Sequence, residues 1–308
     1  MPGLIRPVDH PYKQLPFLFS PMTIGELWRT GVVMLAQAGI AHPDSEAVWI
    51  LESALGHDRL HLHLNKNQRV EGRGRDNAMA LFERRASREP LQYVLGTQEF
   101  CGLDFRVTPG VLIPRPETEL LVEVVRQACA HTSGALIADI GTGSGCIAIA
   151  LARTLPTATL YATDRSPQAL LLAQENAKRH GVDDRVNFLL GNLLDPLQEL
   201  GLQRRFVAIA SNPPYIPEGD LAGLQPEVAV FEPRLALAGG DDGLIFHRRL
   251  VREAADLLEP DGVLAIEVGF GQAGHVSALA QDGENYYNVR TFHDVAGIER
   301  VVCLQRKR

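Results

Sequence analysis

The sequence predicts an α/β fold with a mostly parallel sheet, preceded by a small all-helical region. Three observations carry this. After Pro116, apolar stretches alternate between helical and strand spacing; from Thr23 to about Pro90 the spacing is helical throughout; and a turn with Gly141, Gly143 and Gly145 separates an apolar strand from a helix. Repeated helix–strand units of this kind bury a parallel sheet between two layers of helices.

Along the chain, the first residues are rich in proline and lack a basic-then-apolar signal pattern, so 1–22 is expected to be a flexible extension. The helical region spans 23–92. Thr23 is placed to cap a first helix that Gly39 closes; a second starts at Asp44 or Ser45 and ends at Gly56; a third, "GRDNAMALFERRASREP", stops at Pro90. No alternating strand pattern interrupts it, so a small bundle is expected. The stretch 93–114 changes character. "QEFCGLDFRVTPGVLIP" alternates and contains Gly102 and Pro109-Gly110, which predicts a β-hairpin linker. From 115 to 308 the units follow in order: helix "ETELLVEVVRQACA", strand "ALIADI", helix "CIAIALARTLP", strand "ATLYATD", helix "PQALLLAQENAKRHG", strands "RVNFLLGN" and "RFVAIAS". A long helix "GLIFHRRLVREAADLLEPDG" and strand "GVLAIEVG" come next, then two strands that turn at Ala296-Gly297.

Composition sets further bounds. With 308 residues, 45% apolar and 22% charged, the chain is an ordinary folded protein of one large or two smaller domains. A net charge of -7 argues against strong non-specific nucleic-acid binding, which rests on phosphate neutralisation. Cys101, Cys129, Cys146 and Cys303 are scattered and form no C-x-x-C pair, as in a reducing compartment. The longest apolar stretch, around Asp139, is broken by glycines that a membrane helix would not carry. A soluble, cytoplasmic protein is expected. His57, His61 and His63 lack further ligands at a recognisable spacing, so no metal is expected and they read as solvated helix surface.

Glycines between a strand and a helix let the backbone approach a ligand and pack tightly. The spacing G-x-G-x-G differs from the G-x-G-x-x-G of dinucleotide sites. Asp164 ends the next strand about twenty residues on, where an acid takes ribose hydroxyls in this architecture, although an Asp there also caps helices. A nicotinamide cofactor and S-adenosyl-L-methionine both remain open. Asp139 beside the turn suits an ammonium better than a pyrophosphate, which tilts the choice to the latter.

The strand "FVAIA" ends in Asn212-Pro213-Pro214-Tyr215. Two prolines make a stiff extended segment without donors, so this strand ends in fixed acceptors beside an aromatic ring. "DIGTGSG", the Asp164 strand end and "NPPY", together with "REPLQYVLGTQEFCGLDFRVTPGVLIPRPETELLVE", "FEPRLAL" and "DVAGIERVV", resemble the HemK/PrmC-like glutamine methyltransferases of peptide-chain release factors. The likeness runs from Thr23 onward. It implies a class I, Rossmann-like methyltransferase domain with a seven-stranded sheet and an antiparallel C-terminal strand, S-adenosyl-L-methionine as methyl donor, S-adenosyl-L-homocysteine as product and no metal. It also implies methylation of the N5 nitrogen of the glutamine in a Gly-Gly-Gln motif of release factors, by a monomer with no membrane or stable nucleic-acid partner. Glutamine of a ribosomal protein and exocyclic amines of nucleic-acid bases are the alternative substrates.

The chemistry fits the tetrapeptide. An amide nitrogen is a poor nucleophile and must be held in line with the methyl group. The Asn212 side-chain oxygen and the Pro213 carbonyl are the expected acceptors for its NH2 group, Pro213 and Pro214 stiffen them, and Tyr215 offers a ring face. By resemblance, Gly141, Thr142, Gly143, Ser144 and Gly145 wrap the methionine end with Asp139, Asp164 takes the ribose, Asn192 and Leu193 flank the adenine, and Asn212 also borders the cofactor. The family usually has Asp at position 192; Asn still accepts a hydrogen bond. Arg115, Glu117 and Glu119 are expected to close the cleft, with an anchoring Arg115–Glu117 pair as the competing role.

Overall fold

The computed structural model describes residues 22–308, so the expected extension lies, except for Met22, outside the described residues. The described residues divide into two compact units, the first ending at Val94 and the second Leu95–Arg308.

In the first unit, β1 (Met22–Thr23) leads into α1 (Ile24–Gln37), followed by α2 (Pro43–Leu55), α3 (Arg59–Leu64), β2 (Arg69–Val70), α4 (Arg73–Ala86) and α5 (Leu91–Leu95) at its boundary. Thr23 caps α1 reciprocally with Glu26, satisfying two otherwise orphaned donors. Gly56 ends α2 in the left-handed conformation. α2 begins at Pro43, one residue before the expected Asp44, because proline's fixed φ suits a first helical position. A second correction concerns strands: β1 and β2 pair antiparallel, too short a ladder to leave an alternating pattern. Ile24, Leu27, Leu35, Ile50, Leu51 and Phe82 are all fully buried. Arg85 enters this core with its Nε donating to Glu46 at 2.6 Å; a buried guanidinium needs such a partner.

The second unit opens with the hairpin β3 (Thr97–Phe100) and β4 (Leu103–Arg106). Then come α6 (Glu119–Cys129), β5 (Leu136–Ile140), α7 (Cys146–Thr154), β6 (Thr159–Asp164), α8 (Pro167–Arg179), β7 (Val186–Leu190), α9 (Asp195–Glu199) and β8 (Phe206–Ser211). The chain ends with α10 (Pro226–Phe231), α11 (Ile245–Glu253), β9 (Leu258–Glu267), α12 (Ala273–Asp282), β10 (Tyr286–His293) and β11 (Glu299–Arg306). Seven strands form one sheet in the order β10-β11-β9-β8-β5-β6-β7. The pairs from β9 to β7 are all parallel, and β11 runs antiparallel between β9 and β10. This is the expected sheet.

Alternate residues of the central strands serve opposite faces. Ile137, Ala208, Ala210, Val263 and Ala265 join the core under α6 and α7. Ala138, Ile209, Leu264 and Ile266 join the one under α11 and α12. A strand buried on both sides therefore reads as a continuous apolar run. The long helix expected through Gly262 is shorter. It stops at Glu253, a 3-10 turn covers Ala254–Asp256, and β9 has already begun at Leu258. The Phe206 N–H takes the Leu257 carbonyl, drawing the chain into the ladder, and the Pro260-Asp261-Gly262 stretch forms a bulge with Asp261 at φ 66°.

Gly31, in the middle of α1, faces the Phe82 ring so closely that a Cβ would overlap it. Gly31→Ala should therefore destabilise the protein by about 1–3 kcal/mol despite alanine's better helix propensity. A urea titration followed by circular dichroism reads this directly, as a lower midpoint.

Candidate active site

In a parallel sheet the C-terminal strand ends gather along one edge, and a crevice opens where the strand order reverses. Here that reversal lies at β5, between β6 and β8. A cleft opens there. Its wall comprises the glycine turn after β5, Asp164 at the end of β6, Asn192 and Leu193 after β7, and Asn212 and Pro214 after β8.

The turn is fixed from behind. Gly141, Gly143 and Gly145 all take positive φ, at 75°, 57° and 84°. At Gly145 a Cβ would also lie 2.9 Å from Ile149 Cδ1 and 3.0 Å from Ala173 Cβ, so this glycine lets α7 and α8 meet. At Gly141 and Gly143 nothing crowds the missing Cβ within ordinary contact, leaving the main chain bare towards the cleft. Asp139 is fully buried. Its Oδ2 accepts from Thr142 Oγ1 at 2.6 Å and from the Ala148 N–H at 3.1 Å, tying the turn to the first turn of α7. Burial pushes this carboxyl up to about 7 against those hydrogen bonds. Its Oδ1 has no partner among the described residues, an orphaned acceptor beside the turn.

Asp164 does line the cleft, and its two oxygens accept from the Gly143 N–H at 2.9 Å and the Ser166 N–H at 2.8 Å. The cap of α8 falls to Ser166, whose Oγ accepts from the Ala169 N–H. Asp164 thus holds the turn, and each oxygen keeps a lone pair for a hydroxyl donor. Burial raises its pKa, opposed by the same backbone donors. Leu193 sits at φ 53°, with its carbonyl accepting from Thr163 Oγ1 at 2.8 Å; Asn192 beside it is exposed.

The stretch 110–114, ahead of the expected Arg115, also lines the cleft and was not expected there. Two side chains of α8 hold it and the hairpin. Gln168 Nε2 donates to the Pro109 carbonyl at 2.8 Å. Asn176, fully buried, accepts from the Arg106 N–H and donates to the carbonyls of Arg106 and Ser144. Val111 packs on Ala169 and Leu172. The only sequence signal for this stretch was the apolar run "VLIP". Pro233, Leu235 and Ala236, within the "FEPRLAL" segment, and Phe246 also line the cleft; none of the four was expected at the site.

In the tetrapeptide, Asn212 Nδ2 donates to Thr118 Oγ1 at 3.1 Å, and no described group donates to Oδ1. Pro214 lines the cleft; Pro213 is buried outside the lining. Tyr215 also lies outside it. Its carbonyl accepts from Gln272 Nε2 at 2.9 Å, and its ring packs on Gly269, where a Cβ would come within 3.0 Å of Cδ2. Burial pushes the Tyr215 hydroxyl up to about 12. Close by, burial pushes Glu267 up to about 7, opposed by the Thr118 and Tyr215 hydroxyls and by Arg300.

The closing segment differs from expectation. Arg115 lines the cleft and pairs with buried Glu232 through both carboxylate oxygens, at 2.7 and 2.6 Å, and not with Glu117, which is exposed and outside the lining. Glu119 turns away, accepting from the Cys101 N–H at 2.7 Å. Among the described residues no group of three or more His, Cys, Asp or Glu could hold a metal ion. No described helix is long and apolar enough to cross a membrane.

Residues 26–96 match the PrmC N-terminal domain family, and residues 115–224 match the methyltransferase small domain family. A release factor glutamine methyltransferase of Geobacter sulfurreducens is 47% identical over 89% of this chain and 93% of its own. The chain belongs to the release factor glutamine methyltransferase family. A member from Gloeobacter violaceus is 44% identical over 87% of this chain and 93% of its own. Among solved structures, the hMettl16 catalytic domain in complex with MAT2A 3'UTR hairpin 6 is similar in fold. It is 18% identical, with a TM-score of 0.54, covering 73% of this chain and 81% of that one.

The raised carboxyl of Glu267 has a signed consequence. Below its usual 4.5 it is protonated folded or unfolded; from there to about 7 only the folded state keeps the proton, so stability falls as pH rises through that window. Glu267→Gln removes this slope. The melting temperature of the variant minus that of wild type should therefore climb between pH 5 and 7 and level off above.

Proposed function

We propose that this chain methylates the N5 side-chain nitrogen of the glutamine in the Gly-Gly-Gln motif of peptide-chain release factors, with S-adenosyl-L-methionine as donor. The family and the cleft both support it. The observation that carries the chemistry is the Asn212 amide: its nitrogen is engaged by Thr118, which leaves its oxygen as an acceptor at the cleft wall.

The residues present fit the donor. Bare main chain at Gly141 and Gly143 and the lone pairs of Asp164 suit a nucleoside carrying an amino-acid tail. In this reading Asp164 takes the ribose, the turn Gly141–Gly145 with Thr142 and Ser144 the methionine end, and Asn192 and Leu193 the adenine. Asp139 acts from behind the turn. When bound, the donor supplies an electrophilic methyl group and leaves as S-adenosyl-L-homocysteine.

Asn212 Oδ1 and the Pro213 carbonyl accept from the two N–H bonds of the substrate amide. They hold the nitrogen in place and favour the positive charge that develops on it. Pro213 and Pro214 keep these acceptors from swinging away. Tyr215, whose ring lies outside the lining, supports this segment from behind, and Arg115 joins the cleft walls. The nitrogen's proton passes to water, since a methylated amide nitrogen is strongly acidic. We read the enzyme as a cytoplasmic monomer without stable nucleic-acid binding.

Transfer of labelled methyl to a purified release factor, mapped by mass spectrometry, tests the reading. A label on the Gly-Gly-Gln glutamine supports it; a label only on ribosomal protein or nucleic acid replaces the substrate. Asn212→Ala should lower kcat by roughly 100- to 1000-fold, as removal of one fixed transition-state group does, while S-adenosyl-L-homocysteine still raises the melting temperature. Asp164→Ala should instead weaken cofactor binding first, by about 10- to 100-fold, read by calorimetry.

A further inference from the structure

Asn212 has a neighbour with no role in the reading above. Thr118 ends the 3-10 turn Pro116–Thr118, ahead of α6. It is 2% exposed, yet lines the cleft beside Asn212, 94 residues further along. A buried threonine at a helix start ordinarily caps that helix, but Thr118 makes no capping hydrogen bond. Its Oγ1 instead accepts from Asn212 Nδ2 at 3.1 Å.

A side-chain amide offers two faces of similar shape and opposite polarity. If Asn212 turned over, its NH2 group would meet the NH2 group of the substrate, donor against donor, and the acceptor would be lost. Something must bias the choice. A hydroxyl can accept or donate, so by itself it would tolerate either orientation. An ionised Glu267 carboxylate removes that freedom, because it can only accept. It is 2% exposed at the end of β9, and the Thr118 hydroxyl is one of the groups that oppose the burial-driven rise of its pKa. With the Thr118 proton directed at this acceptor, the oxygen of Thr118 is left with lone pairs only. Those lone pairs then select the nitrogen of Asn212.

We propose that Thr118 is a positioning residue that fixes the Asn212 amide with its oxygen towards the substrate. The proposal rests on the acceptor role given to Asn212 above. It concerns orientation alone, so it affects turnover and not the cofactor.

The test compares Thr118→Val, which keeps the shape and loses the hydroxyl, with Thr118→Ser, which keeps the hydroxyl and loses a methyl. Methyl transfer to a release factor and the melting-temperature rise with S-adenosyl-L-homocysteine are measured for both. Thr118→Val should lower kcat by about 10- to 100-fold, with the KM for S-adenosyl-L-methionine and the melting-temperature rise within twofold of wild type. Thr118→Ser should recover most of the loss. Thr118→Ala serves in place of the valine variant if that fails to fold. Asn212→Asp has no amide to turn, so adding Thr118→Val to it should cost less than fivefold. Three results overturn the proposal: full activity in Thr118→Val, equal loss in the serine and valine variants, or the same large loss in the Asn212→Asp background. Full activity of Asn212→Ala would sink the acceptor reading itself. An inactive Asn212→Ala beside an unaffected Thr118→Val sinks only the positioning role.

Discussion

Asn176 lies fully buried on α8 and commits its whole side-chain amide to main chain: the N–H and C=O of Arg106 and the carbonyl of Ser144. One planar group thereby joins the hairpin, the glycine turn and a helix of the sheet's flank. A buried amide left half-satisfied costs about 1–3 kcal/mol per group, so the three segments hold one another in a single arrangement. The wall formed by 110–115 follows from it, because that stretch starts four residues beyond the anchored Arg106. Asp139 does the equivalent from the sheet side, binding Thr142 and the first turn of α7. Between these two anchors the turn has no freedom to adapt, and its bare backbone faces the cleft at a fixed distance from Asp164.

Buried acids dominate this end of the sheet. Asp139, Glu232 and Glu267 are all withdrawn from water, and burial raises the pKa of each. Of the three, only Glu232 forms a close ion pair, with Arg115, while Arg300 acts on Glu267 from further off. Withdrawing carboxyls in this way is costly and does nothing for packing that leucine would not do better. Their value is directional. Each is an acceptor that forces a neighbouring donor to point one way: Thr142 towards Asp139, Arg115 towards Glu232.

How much of this was legible in the sequence depended on the range of the interaction. The glycine turn, Asp164 and the tetrapeptide each sit at a strand end, and a strand end is a local event marked by its own apolar run. So the parallel sheet and the positions of Gly141, Asp164 and Asn212 could be read directly. Thr118 could not: its neighbour is 94 positions away and its immediate context is that of a helix start. The Tyr215 ring was misplaced for the same reason, since it packs on Gly269, and the carbonyl of Tyr215 binds Gln272. Arg115 was given a local partner, Glu117, when its buried one lay on another segment altogether. The hairpin was legible from its glycine-marked turn, whereas the way Asn176 holds it was not.

The Arg115–Glu232 pair joins residues separated by 117 positions. Closing a loop of that length costs chain entropy that local contacts do not repay. The pair therefore depends on the sheet to hold its two segments near one another. A ligand that touches both sides acts as a second tie across the same gap. Loading the cleft then does for this part of the chain what a cross-link would do, so an occupied cleft is harder to open than an empty one.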